Sequence, residues 1–232
     1  MATHLNSFDN GKALADALAD TVVDALSAAI AARGAASIAV SGGSTPKTFF
    51  EALSARPLDW DKVTVTLVDE RFVPEDNDRS NHGLVARHLL KNAAAKAQFL
   101  PLYHDCSSAE EAAERATKAA AGISAPFDIV ILGMGGDGHT ASFFPGGNHL
   151  ADALDLKLPR RVMTMEAQGA GEPRLTFSFS SLHDARLLVL HIEGAEKKAV
   201  LEKAQSGTDE AEMPIRAVLN RADTPLAIYW AA

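Results

Sequence analysis

The sequence predicts an α/β fold: a mostly parallel sheet with helices on both faces, built by residues 1–232 as a single domain. Two observations carry that expectation. Apolar, β-branched runs such as Val63–Val68 (VTVTLV), Asp128–Leu132 (DIVIL) and Arg186–Ile192 (RLLVLHI) alternate with helical patterns for most of the length. That alternation joins parallel strands through crossover helices and buries the sheet on both sides. No internal repeat or linker-like stretch divides the chain, and 232 residues suffice for one large α/β domain.

In chain order, the first helix is expected over Gly11–Arg33, where Leu14, Leu18, Val22, Leu26 and Ile30 recur every fourth position and Gly34 closes the run. A short strand, Ser37–Val40, then enters SGGSTPK at 41–47. This reads as a glycine turn into a helix, with Ser44 or Thr45 as N-cap and Pro46 in the first turn. Amides exposed at such a helix start make an anion site. The loop has neither the order of a Walker A motif nor the glycines of a nucleophile elbow around Ser41 or Ser44.

Strand Val63–Val68 ends in Asp69, Glu70 and Arg71, outside the carboxyl end of a strand, where open α/β sheets bind ligands. Alternation turns Asp69 and Arg71 one way and Glu70 the other. The loop through Pro74, Asn77, Arg79, Ser80 and Asn81 then caps a helix from about 82 to 91. A strand at 98–102 and a helix capped by Ser107 or Ser108 come next, and a strand is expected at 161–166. Strict alternation of Leu175, Phe177 and Phe179 in PRLTFSFSSL predicts a strand with one buried face. After Arg186–Ile192, Gly194 turns into a helix, Pro214 opens a short one, and 225–230 forms the last strand.

The central stretch is Phe127–Gly147, where a buried strand runs into four glycines within six residues and then Asp137 and His139. Gly133, Gly135 and Gly138 match G-x-G-x-x-G, but Asp155 does not close a strand as a dinucleotide site needs. No nucleotide cofactor is expected. Asp137 and His139 flank a glycine, an arrangement that lets a carboxylate orient an imidazole as a general base. No metal is expected either, because the histidines lack paired ligand spacing and Cys106 is the only thiol.

Composition narrows the classes further. A net charge of −8 opposes nucleic-acid or anionic-membrane partners and leaves a small anion held by a few focused cations. The apolar runs fall short of a membrane span and the N-terminal residues do not read as a signal peptide, so a cytoplasmic location is expected, as the single cysteine also suggests.

SGGSTP at 41–46, DERFVPEDNDRSN at 69–81, LGMGGDGHTASFFPG at 132–146, RLTFS at 174–178 and GAEKKAVL at 194–201 together resemble the 6-phosphogluconolactonase family, in the family's order and over nearly the whole chain. The resemblance implies a fold shared with glucosamine-6-phosphate deaminase and ribose-5-phosphate isomerase. It also implies cofactor-free hydrolysis of 6-phospho-D-glucono-1,5-lactone in the pentose phosphate pathway. On that basis His139 activates water, Asp137 orients the imidazole ring, and Gly42, Gly43, Ser44 and Thr45 hold the 6-phosphate. Asp69, Arg71, Arg174 and Lys197 complete the site, Lys197 by the family's G-x-x-K spacing from Gly194.

Two rivals share the fold. Amino-sugar phosphate deaminases and isomerases resemble this loop but place a glutamate five residues after the histidine, where this chain has Phe144; Asp69 does match their proton-transfer carboxylate. A non-enzymatic sugar-phosphate sensor is expected to carry a DNA-binding helix-turn-helix, whereas this acidic chain reads as starting almost directly with its first domain helix.

Overall fold

A computed structural model describes residues 3–232. Ten strands are present among them: β1 (Thr3–Phe8), β2 (Ala36–Val40), β3 (Val63–Leu67), β4 (Asp69–Arg71), β5 (Gln98–Leu100), β6 (Ile129–Leu132), β7 (Val162–Met165), β8 (Arg174–Phe177), β9 (Leu187–Glu193) and β10 (Leu226–Ala231). Seven form one sheet in the order β1-β10-β9-β6-β2-β3-β5, every pair parallel. The other three form a small antiparallel sheet, β4-β8-β7. Every residue of β2 and β6 is buried, as the centre of a parallel sheet flanked by helices requires.

The helices are α1 (Gly11–Arg33), α2 (Lys47–Ser54), α3 (Asn81–His88), α4 (Ala109–Ala120), α5 (Leu150–Leu154), α6 (Phe179–Leu182), α7 (Ala195–Gln205) and α8 (Ile215–Arg221). In α1 the Asn10 side chain accepts from the Ala13 amide, and Leu14, Leu18, Val22 and Leu26 are fully buried along one stripe. Each such leucine contributes about 1.5–3 kcal/mol by leaving water. α1 packs on α2. α4 starts at Ser108, whose side chain accepts from the Glu111 amide.

Four expectations are corrected. The described residues begin with a strand, β1, before the first helix, pairing in parallel with β10 at the sheet edge. Its sequence, THLNSF, has no buried face to signal it, and Leu5 is 52% exposed, so ladder hydrogen bonds define it rather than apolar burial. The alternation through Phe179 stops at Phe177: the Ser178 hydroxyl lies 2.9 and 3.0 Å from those of Ser180 and Ser181, and the chain turns into α6. β8 is buried on both faces: β4 and β7 cover only its edges, whereas α4 packs against it and Phe127 packs edge-on against Phe177. α3 ends at His88, short of residue 91.

The fourth correction concerns α2. Pro46 occupies its N-cap with helical backbone angles, and no side chain caps it. Ser44 and Thr45 therefore precede the helix instead of closing its first turn.

The chain leaves β2 toward β3 on one side of the main sheet. From β6 it passes through the small sheet and returns at β9 on the other side. The loops after the adjacent strands β2 and β6 thus diverge and open a crevice at their carboxyl ends.

Candidate active site

That crevice is a cleft of about 250 Å³. Its two principal loops are tied together by the Ser41 hydroxyl, which accepts from the Gly133 amide at 3.0 Å. Across the cleft the Asn81 side chain donates to the Asp69 carbonyl at 2.9 Å. A Cβ on residue 42 would fall 1.8 Å from Asn81 Oδ1. Gly42 is thus required by the approach of Asn81, which braces the glycine loop against the small sheet.

In the loop after β6, Asp137 Oδ1 lies 2.6 Å from His139 Nδ1 and also accepts the His139 amide at 3.0 Å. The pair is closed by the Gly135 amide, which donates to the His139 carbonyl at 2.8 Å. A Cβ on Gly135 would sit 2.1 Å from His139 Nδ1, so this glycine makes room for the imidazole. With Nδ1 engaged by the carboxylate, Nε2 is the nitrogen left for chemistry. Burial pushes the Asp137 carboxyl up, but the amide, charge and side chain of His139 outweigh it and hold it below the usual carboxylate range.

The small sheet delivers the charged wall. Asp69 and Arg71 face the cleft from β4. Glu70, pointing the other way, is fully buried and accepts from the amides of Arg71, Asn81 and His82 at 2.7–2.8 Å. Burial pushes the Glu70 carboxyl up against the opposing pull of those amides. It is a structural clamp on the turn into α3. Asp69 Oδ2 accepts from the Ser142 hydroxyl at 2.6 Å and lies 4.0 Å from Arg174 Nη1. Arg174 also donates through Nε and Nη2 to the Ala170 carbonyl. Its guanidinium lies 5.3 Å from the centre of the Phe144 ring, and burial pushes its pKa down. Arg71 donates to the Arg79 carbonyl, while its Nε is buried without a partner.

Of the residues singled out in the sequence, Gly42, Gly43, Ser44, Thr45, Asp69, Arg71, His139, Arg174 and Lys197 line this one cleft. Asp137 stands behind His139 and does not line it. Among the further lining residues, Asn81 and His191 were not anticipated as site residues. Asn81 was read only as part of a capping loop. The signal for His191 was available, since it is the single polar interruption of RLLVLHI, at the ligand-facing end of the strand. Among the described residues no group of three or more His, Cys, Asp or Glu is arranged to hold a metal ion, and no helix is long and apolar enough to cross a membrane.

Comparison with known proteins places this geometry. The family model for glucosamine-6-phosphate isomerases/6-phosphogluconolactonase matches residues 9–230. A 6-phosphogluconolactonase of Rhizobium meliloti (strain 1021) is 65% identical over 231 residues, covering 100% of both chains. The crystal structure of a 6-phosphogluconolactonase from Shewanella baltica OS155 superposes with a TM-score of 0.96 at 41% identity, covering 99% of this chain and 98% of that one. A monomeric glucosamine-6-phosphate deaminase, at 16% identity and a TM-score of 0.80 over 99% of this chain and 97% of its own, shares the fold. The chain belongs to the glucosamine-6-phosphate isomerase/6-phosphogluconolactonase family.

Proposed function

We propose that this protein hydrolyses 6-phospho-D-glucono-1,5-lactone to 6-phospho-D-gluconate, the lactone-opening step of the oxidative pentose phosphate pathway. The observation that carries the reading is the Asp137–His139 pair, 2.6 Å apart, beside a cleft that also gathers Arg71, Arg174 and Lys197 in a chain of net charge −8. The lactonases among its relatives support the substrate.

His139 Nε2 takes a proton from a water that attacks lactone C1, and Asp137 holds the ring and stabilises the imidazolium that forms. The carbonyl becomes an oxyanion, which Arg174 and Arg71 stabilise from the small-sheet wall. As the bond from C1 to the ring oxygen breaks, the imidazolium returns the proton to the departing oxygen. The loop Gly42–Thr45 and Lys197 hold the 6-phosphate, with amides and hydroxyls on one side and an ammonium on the other. None of these steps calls for a cofactor. The location that fits this activity and a single cysteine is the cytoplasm.

A second reading, deamination or isomerisation of an amino-sugar phosphate, draws support from Asp69 in the cleft. Against it, Phe144 leaves no carboxylate five residues after His139. One experiment separates the two. Purified protein is added to freshly made 6-phosphogluconolactone and, in parallel, to glucosamine 6-phosphate. Acid release faster than the spontaneous rate, with no ammonia from the amino sugar, is expected. Unchanged acid release refutes the lactonase reading.

A further inference from the structure

The cleft holds a second carboxylate–imidazole pair. His191 Nε2 lies 3.1 Å from Glu193 Oε1, two residues along the same face of β9. The pairing is the reverse of Asp137–His139, where Nδ1 is engaged. The His191 side chain is only 3% exposed, yet it lines the cleft. A buried polar side chain inside an otherwise apolar strand costs stability unless its polar atoms are partnered, and Glu193 partners one nitrogen only.

The surroundings of His191 point to what the other nitrogen meets. Phe49 of α2, the helix that follows the Gly42–Thr45 loop, packs edge-on against the imidazole at 5.9 Å. Lys197, from the first turns of α7 after the same strand, lines the same cleft. Tyr229 is the neighbour in register on β10, and from the α1 side Gly11 approaches Glu193 so closely that a Cβ there would lie 2.7 Å from Oε2. The charged groups facing His191 are thus Glu193 and, lining the same cleft, Lys197. With Nε2 engaged by the Glu193 carboxylate, Nδ1 is the nitrogen left to meet a ligand in the cleft.

We propose that His191, held by Glu193, is a phosphoryl-binding residue of this cleft, hydrogen-bonding through Nδ1 to the 6-phosphate beside Lys197 and opposite the Gly42–Thr45 loop. The inference deepens the lactonase reading and rests on it for the identity of the anion. A second contact on the side opposite the loop amides fixes the phosphate in place and so sets the register of C1 against His139. His191 is accordingly a residue of substrate selection rather than of the chemical step.

The test is calorimetric titration of inorganic phosphate into the wild type, His191→Gln and Glu193→Gln, with kinetics on 6-phosphogluconolactone and on unphosphorylated gluconolactone. His191→Gln is expected to weaken phosphate binding about tenfold or more, the usual scale for a charge-assisted hydrogen bond. KM for the phosphorylated lactone rises by a similar factor while kcat falls far less, and the preference for phosphorylated over unphosphorylated lactone shrinks accordingly. If His191→Gln unfolds, Glu193→Gln keeps the imidazole and is expected to show the same losses in smaller degree. Phosphate affinity unaltered in both variants, or no phosphate binding by the wild type, overturns the proposal. Phosphate binding that depends on His191 in a protein that releases no acid from the lactone would instead overturn the lactonase reading alone.

Discussion

The ring of Phe144 lies 4.4 Å from the imidazole of His139, centroid to centroid, at an interplanar angle of 34°. The same ring carries the Arg174 guanidinium 5.3 Å from its centre. One buried phenyl group thus separates the imidazole from the guanidinium and gives each an apolar wall. A glutamate at this position would put a carboxylate between them, in reach of both, and would change what the imidazole does.

Phe144→Ala is therefore expected to destabilise the protein by about 3–5 kcal/mol, the cost of emptying a buried phenylalanine site. Urea unfolding checks this. Turnover of the folded fraction should fall as well, because both His139 and Arg174 lose the surface that positions them. Stability and turnover near wild type would show that the ring only fills space.

His139→Ala should leave the far-ultraviolet spectrum unchanged and lower kcat on the order of 10²- to 10⁴-fold, the range for loss of a general base. Asp137→Asn keeps a similar shape but removes the charge facing Nδ1, and a smaller loss is expected. Near-normal turnover of the alanine variant removes His139 from the mechanism.

Gly135→Ala probes the loop without replacing a titratable group. Its methyl would stand 2.1 Å from His139 Nδ1, so the imidazole must move or the loop must open. Activity is expected to fall as in His139→Ala while the thermal midpoint drops by only a few degrees. A fully active Gly135→Ala would mean that the His139 orientation seen here is not the working one.

Stability should decline on mild acidification. Burial, partly opposed by Glu75, pushes the His82 imidazole below its ordinary value of 6.5, and burial together with Arg115 does the same to His104. Below that ordinary value the unfolded chain binds protons that the native state refuses, so unfolding becomes easier as pH falls toward the native pKa of each group. The Asp137 carboxyl, held low, adds a loss of the same sign at still lower pH. Glu70, pushed up by burial, works in the opposite direction above 4.5. Urea midpoints measured from neutral pH downward should fall, and His82→Gln should flatten the slope. A pH-independent midpoint contradicts this assignment.

Much of the fold was legible because its signals are local. The apolar stripe of α1, the apolar runs of β3, β6 and β9, and a serine cap at 107 or 108 depend on a few neighbouring residues, and the structure puts each within that reading, with Ser108 as the cap. β1 was not legible, since an edge strand held by ladder bonds to β10 leaves no mark on a polar sequence. Nor was the split between β3 and β4, where Val68 donates to Val40 on the main sheet and accepts from Phe177 on the small one.

The sequence by itself determined the family resemblance, most of the strand-and-helix order, and the pairing of Asp137 with His139, because two residues apart across a glycine can meet within one turn. What only the tertiary structure decided is which distant segments share a cleft. Strand order sets β2 beside β6, whose exit loops part in opposite directions, and that divergence brings Gly42, Asp69, His139, Arg174, His191 and Lys197 around one volume. No local pattern encodes such a meeting, since it follows from long-range strand pairing and from the burial that fixes its register. The same pairing gave His191 its place in the cleft, a residue whose sequence context offered only one polar side chain in an apolar run.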